Sequence, residues 1–169
     1  DRRRTLADQR HDLRFFRGKP PHTLPARPAF GVKQAMAKLY FHYATMNAGK
    51  TTMLLQASYN YRERGMETML FIAGHYQKGE RGCISSRIGL EAEAEMFREG
   101  DDLFARIAEH HRRSTVHCVF VDEAQFLDAD QVWQLARVAD RLEVPVMCYG
   151  LRTDFQGNLF SGSRALLAL

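Results

Sequence analysis

Three short stretches carry the residue types that could do chemistry. The first is Ala44-Thr45-Met46-Asn47-Ala48-Gly49-Lys50-Thr51-Thr52, directly after the apolar run Leu39 to Tyr43. A small-residue loop ending Gly-Lys-Thr between a strand and a helix is the spelling of a phosphate cradle. Its backbone N–H groups and the positive end of the following helix surround a polyphosphate. Lys50 would reach the β- and γ-phosphate oxygens, and the Thr51 hydroxyl would ligate Mg²⁺. Gly49 lets the backbone approach where a Cβ would obstruct. Ala44 stands where the pattern usually has its first glycine, and taken alone the stretch also reads as an ordinary strand-loop-helix corner.

The second stretch is Asp122-Glu123-Ala124-Gln125-Phe126, which ends the apolar run Val116 to Val121 about seventy residues later. A strand end is rigid enough to hold a carboxylate beside Thr51, so Asp122 reads as the magnesium carboxylate. Glu123, next to it, could accept a proton from an attacking hydroxyl or water. The competing reading is a pair of solvated acids starting a turn. The third stretch, Leu151-Arg152-Thr153-Asp154-Phe155, follows the apolar run Val144 to Tyr149.

These loops need elements to position them. Leu54, Ala57 and Tyr61 mark a helix from Thr51 that stops at Gly65, and Thr68 to Ala73 reads as a second buried strand. Gly74 to Gly89 reads as a long functional loop, followed by two helices, Glu91 to Arg98 and Asp102 to His111, with Asp101 or Asp102 as a cap. Val132, Leu135, Val138 and Ala139 mark an amphipathic helix over Asp130 to Leu142. A last apolar helix runs up to Leu169. Strands alternating with helices imply an α/β fold, a parallel sheet flanked by helices. In such sheets ligands bind at the carboxyl ends of strands, where the three stretches would converge on one crevice.

With 169 residues and 45% hydrophobic content, the chain can bury one core, and it has no apolar run long enough to span a membrane. Its net charge of +4 is unevenly distributed. Residues 1 to 35 hold nine Lys/Arg against three Asp, a net of +6, which leaves 4 − 6 = −2 for residues 36 to 169. Nucleic-acid binding by the domain is therefore not implied. Those first 35 residues also hold four of the five prolines and show no apolar period, so they read as a basic leader that does not pack, with the domain beginning at Met36. Cys83, Cys118 and Cys148 are odd in number without a C-x-x-C pair, which reads as reduced core thiols in a cytoplasmic protein.

Taken together, AKLYFHYATMNAGKTTMLLQASYNYRERGM, SSRIGL, VFVDEAQFL and VPVMCYGLRTDFQGNLFSGS resemble the thymidine kinases of the cellular and bacterial type, P-loop enzymes with a RecA-like sheet. The resemblance covers Met36 to Leu169. It implies transfer of the ATP γ-phosphoryl group to the 5′-hydroxyl of thymidine, with Mg²⁺ as cofactor and a homotetrameric assembly. By resemblance, Lys50 and Thr51 serve phosphate and magnesium, Asp122 the magnesium, and Glu123 is the base on the 5′-hydroxyl. Met46, Phe126, Leu151 and Phe155 match positions that pack around the thymine. Relatives carry acidic residues followed by Arg near the phosphates where this chain has Tyr76-Gln77-Lys78, so Lys78 is expected to keep the positive charge there. The family's zinc subdomain and its lasso loop would lie beyond Leu169, so no zinc is expected within these residues. The rival readings are a RecA-like ATPase, in which Glu123 polarises water, and a non-catalytic ATP-binding fragment. A GTPase would need an N-K-x-D motif, which is absent.

Overall fold

The computed structural model describes residues 37–74 and 81–169. The expectations for residues 1 to 35, and for Tyr76, Gln77 and Lys78, lie outside the described residues. Six strands form one sheet: β1 (Leu39–Tyr43), β2 (Glu67–Ala73), β3 (Arg81–Ser85), β4 (Glu91–Phe97), β5 (Val116–Asp122) and β6 (Val146–Gly150), in the order β1-β6-β5-β2-β4-β3. Every neighbouring pair is parallel except β3 with β4, so the expected parallel sheet carries one antiparallel strand at its edge.

Side-chain alternation explains how the sheet is covered. Along β2, Met69, Phe71 and Ala73 enter one core, while Leu70 and Ile72 enter the other. The first core is closed by α2 (Leu103–Arg113), α3 (Ala129–Leu142) and α4 (Ser161–Ala168), through Leu103, Ile107, Val132, Leu135, Val138 and Leu166. The second lies under α1 (Lys50–Glu63), which contributes Leu54 and Leu55 against Phe120 and Tyr149. β5 is buried on both faces, as the apolar run Cys118 to Val121 implies.

The expectation of a helix over Glu91 to Arg98 is overturned: the segment is strand β4. Glutamate and alanine are good helix formers, but here they alternate. Ala94 and Met96 enter the core under α1 with Ala92 packed against it, while Glu91 and Glu93 face outward. Period two prevailed over propensity. The expected long loop from Gly74 to Gly89 likewise contains β3, joined to β4 by a turn. In that turn the Leu90 N–H donates to Ser86 Oγ at 3.0 Å and the Ser86 N–H to the Leu90 carbonyl at 2.8 Å. Cys118 and Cys148 are buried as expected, whereas Cys83 on this edge hairpin is exposed.

Buried amides fasten the helices. Asp128 and Gln131 form a capping box at the start of α3. Gln131 Nε2 donates to the Arg98 carbonyl at 2.6 Å, and Gln134 Oε1 accepts the Leu103 N–H at 2.7 Å, at the start of α2. Asp102, one of the two cap candidates, caps that helix by accepting the Ala105 N–H at 2.8 Å. α4 lies against the 3-10 turn Ala124–Phe126 so closely that a Cβ on Gly162 would stand 2.7 Å from the carbonyl oxygens of both Ala124 and Leu127. Backbone cannot yield as a side chain can, so Gly162→Ala is expected to cost ~1–3 kcal/mol by overpacking. Thermal unfolding should show a midpoint lowered by at least ~3 °C.

Candidate active site

The loop between β1 and α1 turns on two residues with left-handed backbone, Asn47 (φ 63°) and Gly49 (φ 78°). Asparagine tolerates this region and glycine is at ease in it. Gly49 is the N-cap of α1, which has no side-chain cap. The Met53 N–H bonds the Gly49 carbonyl at 3.0 Å, so the amides of Lys50, Thr51 and Thr52 precede the helical ladder. A row of uncapped amides at a helix start is suited to an anion. Lys50 Nζ lies over the loop, donating to the carbonyls of Ala44 at 3.2 Å and Thr45 at 2.7 Å.

Facing the loop is the end of β5. Thr51 donates its hydroxyl to Asp122 Oδ2 at 3.0 Å, and the Glu123 N–H donates to Asp122 Oδ1 at 3.0 Å. Among the described residues these two neutral donors bond the buried Asp122, and burial first, then the neighbouring Glu123 charge, pushes its carboxyl up to about 6. A buried carboxylate beside a hydroxyl fits a hard divalent cation that takes its remaining ligands from phosphate oxygens and water. No cluster of three or more His, Cys, Asp or Glu side chains competes for a metal among the described residues.

Glu123 adopts a left-handed conformation (φ 54°, ψ 37°), uncommon for a residue with this side chain. Such strain gathers at functional sites, where the surroundings hold it in place. The 3-10 turn follows at once, with the Phe126 N–H bonding the Glu123 carbonyl at 3.1 Å. Gln125, fully buried, points its amide back: Nε2 donates to Glu123 Oε2 at 2.6 Å, and Oε1 accepts the Leu151 N–H at 3.0 Å. Sequence reading passed over Gln125. Its only signal was an uncharged amide set between Ala124 and Phe126, directly after the acidic pair.

Beyond the carboxylates, Ala44, Met46, Leu151 and Phe155 line one groove of about 590 Å³ at the ends of β1 and β6, together with Tyr43 and Arg152. Phe126 does not line it. Its ring meets Phe160 edge-on at 5.8 Å and lines a smaller adjoining pocket of about 240 Å³, with Phe160 bordering both spaces. Phe155 is 96% exposed, its ring held at the tip of a short loop. Asp154 ties that loop by accepting the Gln156 and Asn158 N–H groups, each at 2.9 Å, while Thr153 bridges to Leu159. These bonds hold the Asp154 carboxyl below the usual carboxylate range. They also place the Phe155 ring without help from a core.

A glycine-lysine-threonine loop at a helix start, paired with a strand-end carboxylate on a mostly parallel sheet, defines the P-loop class of nucleotide-binding proteins. Comparison with known proteins narrows the class. Residues 37–169 match the family described as thymidine kinase, and the chain belongs to that family. It is 84% identical over 134 residues to a thymidine kinase of Mesorhizobium japonicum, covering 79% of this chain and 66% of that one. It is 62% identical over 134 residues to a thymidine kinase of Agrobacterium fabrum, covering 79% of this chain and 69% of that one. A thymidine kinase of Pasteurella multocida is 56% identical over 133 residues, again with 79% and 69% covered. The chain thus spans about two thirds of the length of these curated relatives.

The raised Asp122 carboxyl sets a pH dependence. Below about pH 4 it is protonated in folded and unfolded chains alike and has no effect. Between about 4 and 6 the folded state keeps a proton that the unfolded state has lost, so stability declines as pH rises. Above 6 the full penalty is present, on the order of 3 kcal/mol at 1.36 kcal/mol per unit. Asp122→Asn should therefore melt higher than the parent at pH 7.5 in chelator, with the gap closing towards pH 4. Adding Mg²⁺ and ATP should reverse the order, because only the parent gains the cation. Calorimetry over that range provides the measurement.

Proposed function

We propose that this chain contains the nucleotide-binding and catalytic core of an enzyme that transfers the γ-phosphoryl group of ATP to the 5′-hydroxyl of thymidine. The observation that carries the reading is the 3.0 Å contact between Thr51 and Asp122, 71 residues apart, with Glu123 next in the chain. The family supports the choice of thymidine as acceptor.

The loop amides from Asn47 to Thr52 and the start of α1 receive the triphosphate. Lys50 exchanges two neutral carbonyl acceptors for phosphate oxygens, where its hydrogen bonds become charge-assisted. Thr51 and Asp122 hold Mg²⁺, which when bound neutralises charge on the transferring group. Met46, Leu151 and Phe155 pack on the flat face of the base, with Phe126 acting behind Phe160. Glu123 takes the proton of the 5′-hydroxyl as it attacks. Lys78 would add a cation from outside the described residues. The homotetramer, the cytoplasmic location and the zinc subdomain remain inferences from the family resemblance. Burial pushes the Cys118 thiol up to about 12, which makes it an inert core thiol.

Glu123→Gln preserves shape while removing proton acceptance, so thymidine-dependent ADP formation should fall by on the order of 10²-fold with the KM for ATP little changed. Lys50→Ala should instead weaken ATP binding itself, read by titration calorimetry. ADP release by the parent that is the same with and without thymidine would replace this reading with a hydrolase in which Glu123 acts on water.

A further inference from the structure

We infer that Gln125 is a positioning residue that aims Glu123 at the acceptor and ties that aim to the nucleoside groove. The inference rests on the reading of Glu123 as the base. The orientation of the Gln125 amide is fixed by chemistry: the Leu151 N–H can only donate, so the atom that meets it at 3.0 Å is the carbonyl oxygen, and the NH₂ group must face Glu123. One carboxylate oxygen of Glu123, Oε2, is thereby held by a donor at 2.6 Å. Oε1 is left to accept the substrate proton. The 2.6 Å contact acts on a side chain whose backbone is already confined to the left-handed region, so neither end of Glu123 is loose.

The other half of the bridge reaches the acceptor. Leu151 begins the loop whose Leu151 and Phe155 line the groove, and the same loop is held from behind by Ser163, whose Oγ donates to the Leu151 carbonyl at 2.5 Å. Gln125 therefore spans from the base to the floor of the groove in one rigid amide. Gly150 makes room for it: a Cβ there would lie 2.6 Å from Gln125 Oε1, with the backbone nitrogens of Gln125 and Ala124 close behind at 3.1 and 3.3 Å. Two segments 26 residues apart, at Gln125 and at Leu151, are thus joined through one amide.

Gln125→Glu separates the two halves, since it can still accept from Leu151 but cannot donate to Glu123 as a carboxylate. It should lower kcat by roughly 10- to 100-fold while leaving the KM for ATP within about twofold, the range of a lost supporting contact. Gly150→Ala, which crowds the amide and the Ala124–Gln125 backbone behind it while leaving the amide's chemistry intact, should lower kcat in the same direction. In a Glu123→Gln background the Gln125→Glu change should cost less than about threefold, because no base is left to aim. Equal losses in both backgrounds, or unchanged kcat in the parent, overturn the inference. Turnover that ignores thymidine overturns the function reading instead. A second arm is independent of turnover. In the ¹⁵N–¹H spectrum one Gln125 side-chain amide proton should lie well downfield and return to the ordinary position in Glu123→Ala. An ordinary pair of resonances that does not respond to that change overturns the bridge itself.

Discussion

The structure turns on a carboxylate placed where it is costly to keep. Asp122 ends the most deeply buried strand of the sheet and, among the described residues, its hydrogen bonds come from a hydroxyl and a backbone amide; with Lys50 the weakest of the influences on it, burial and the Glu123 charge prevail. A cation would offset both, and the surrounding elements are arranged for one. α1 starts at Lys50 without a side-chain cap, which brings Thr51 to the carboxylate and leaves amides open for the phosphates that would share the ion. In the reading proposed above, stability of the metal-free protein would be given up at the point where a bound cation needs charge.

The parallel order of the central strands supplies the rest. β1, β6 and β5 are neighbours and run the same way, so their carboxyl ends deliver the phosphate loop, the groove loop and the acidic pair to one edge. Close approach between those loops depends on glycine. Gly150 admits the Gln125 amide and Gly162 lets α4 rest on the carbonyls of the 3-10 turn. The segment bearing Glu123 is consequently clamped from both sides, although it contains a strained residue and only three residues of regular structure.

Much of this was legible in the chain. The phosphate loop, the strand-end acids and the α/β alternation are local spellings, in which neighbouring residues specify both the element and its chemistry. Reading failed where local preference and local pattern disagreed. Glu91 to Phe97 has helix-forming residues arranged with a strand's period, and the sheet edge settled the conflict by burying Ala94 and Met96. The family resemblance groups Phe126 with Met46, Leu151 and Phe155 around one base, whereas Phe126 lines the adjoining pocket and the other three the groove. Which of them share a groove depends on how the Phe160 ring falls, and spacing does not encode that.

By itself, then, the sequence determined which side chains could do phosphoryl-transfer chemistry and which strand ends would carry them, because each of those facts is written within a dozen consecutive residues. Only the tertiary structure decided that Gln125 joins Glu123 to Leu151, that β3 pairs antiparallel at the edge, and that Asp122 is left undercompensated. Each of these is a contact or a desolvation between segments far apart in the chain. Their energies depend on distance and burial, which come into being only once the sheet has brought the strand ends together.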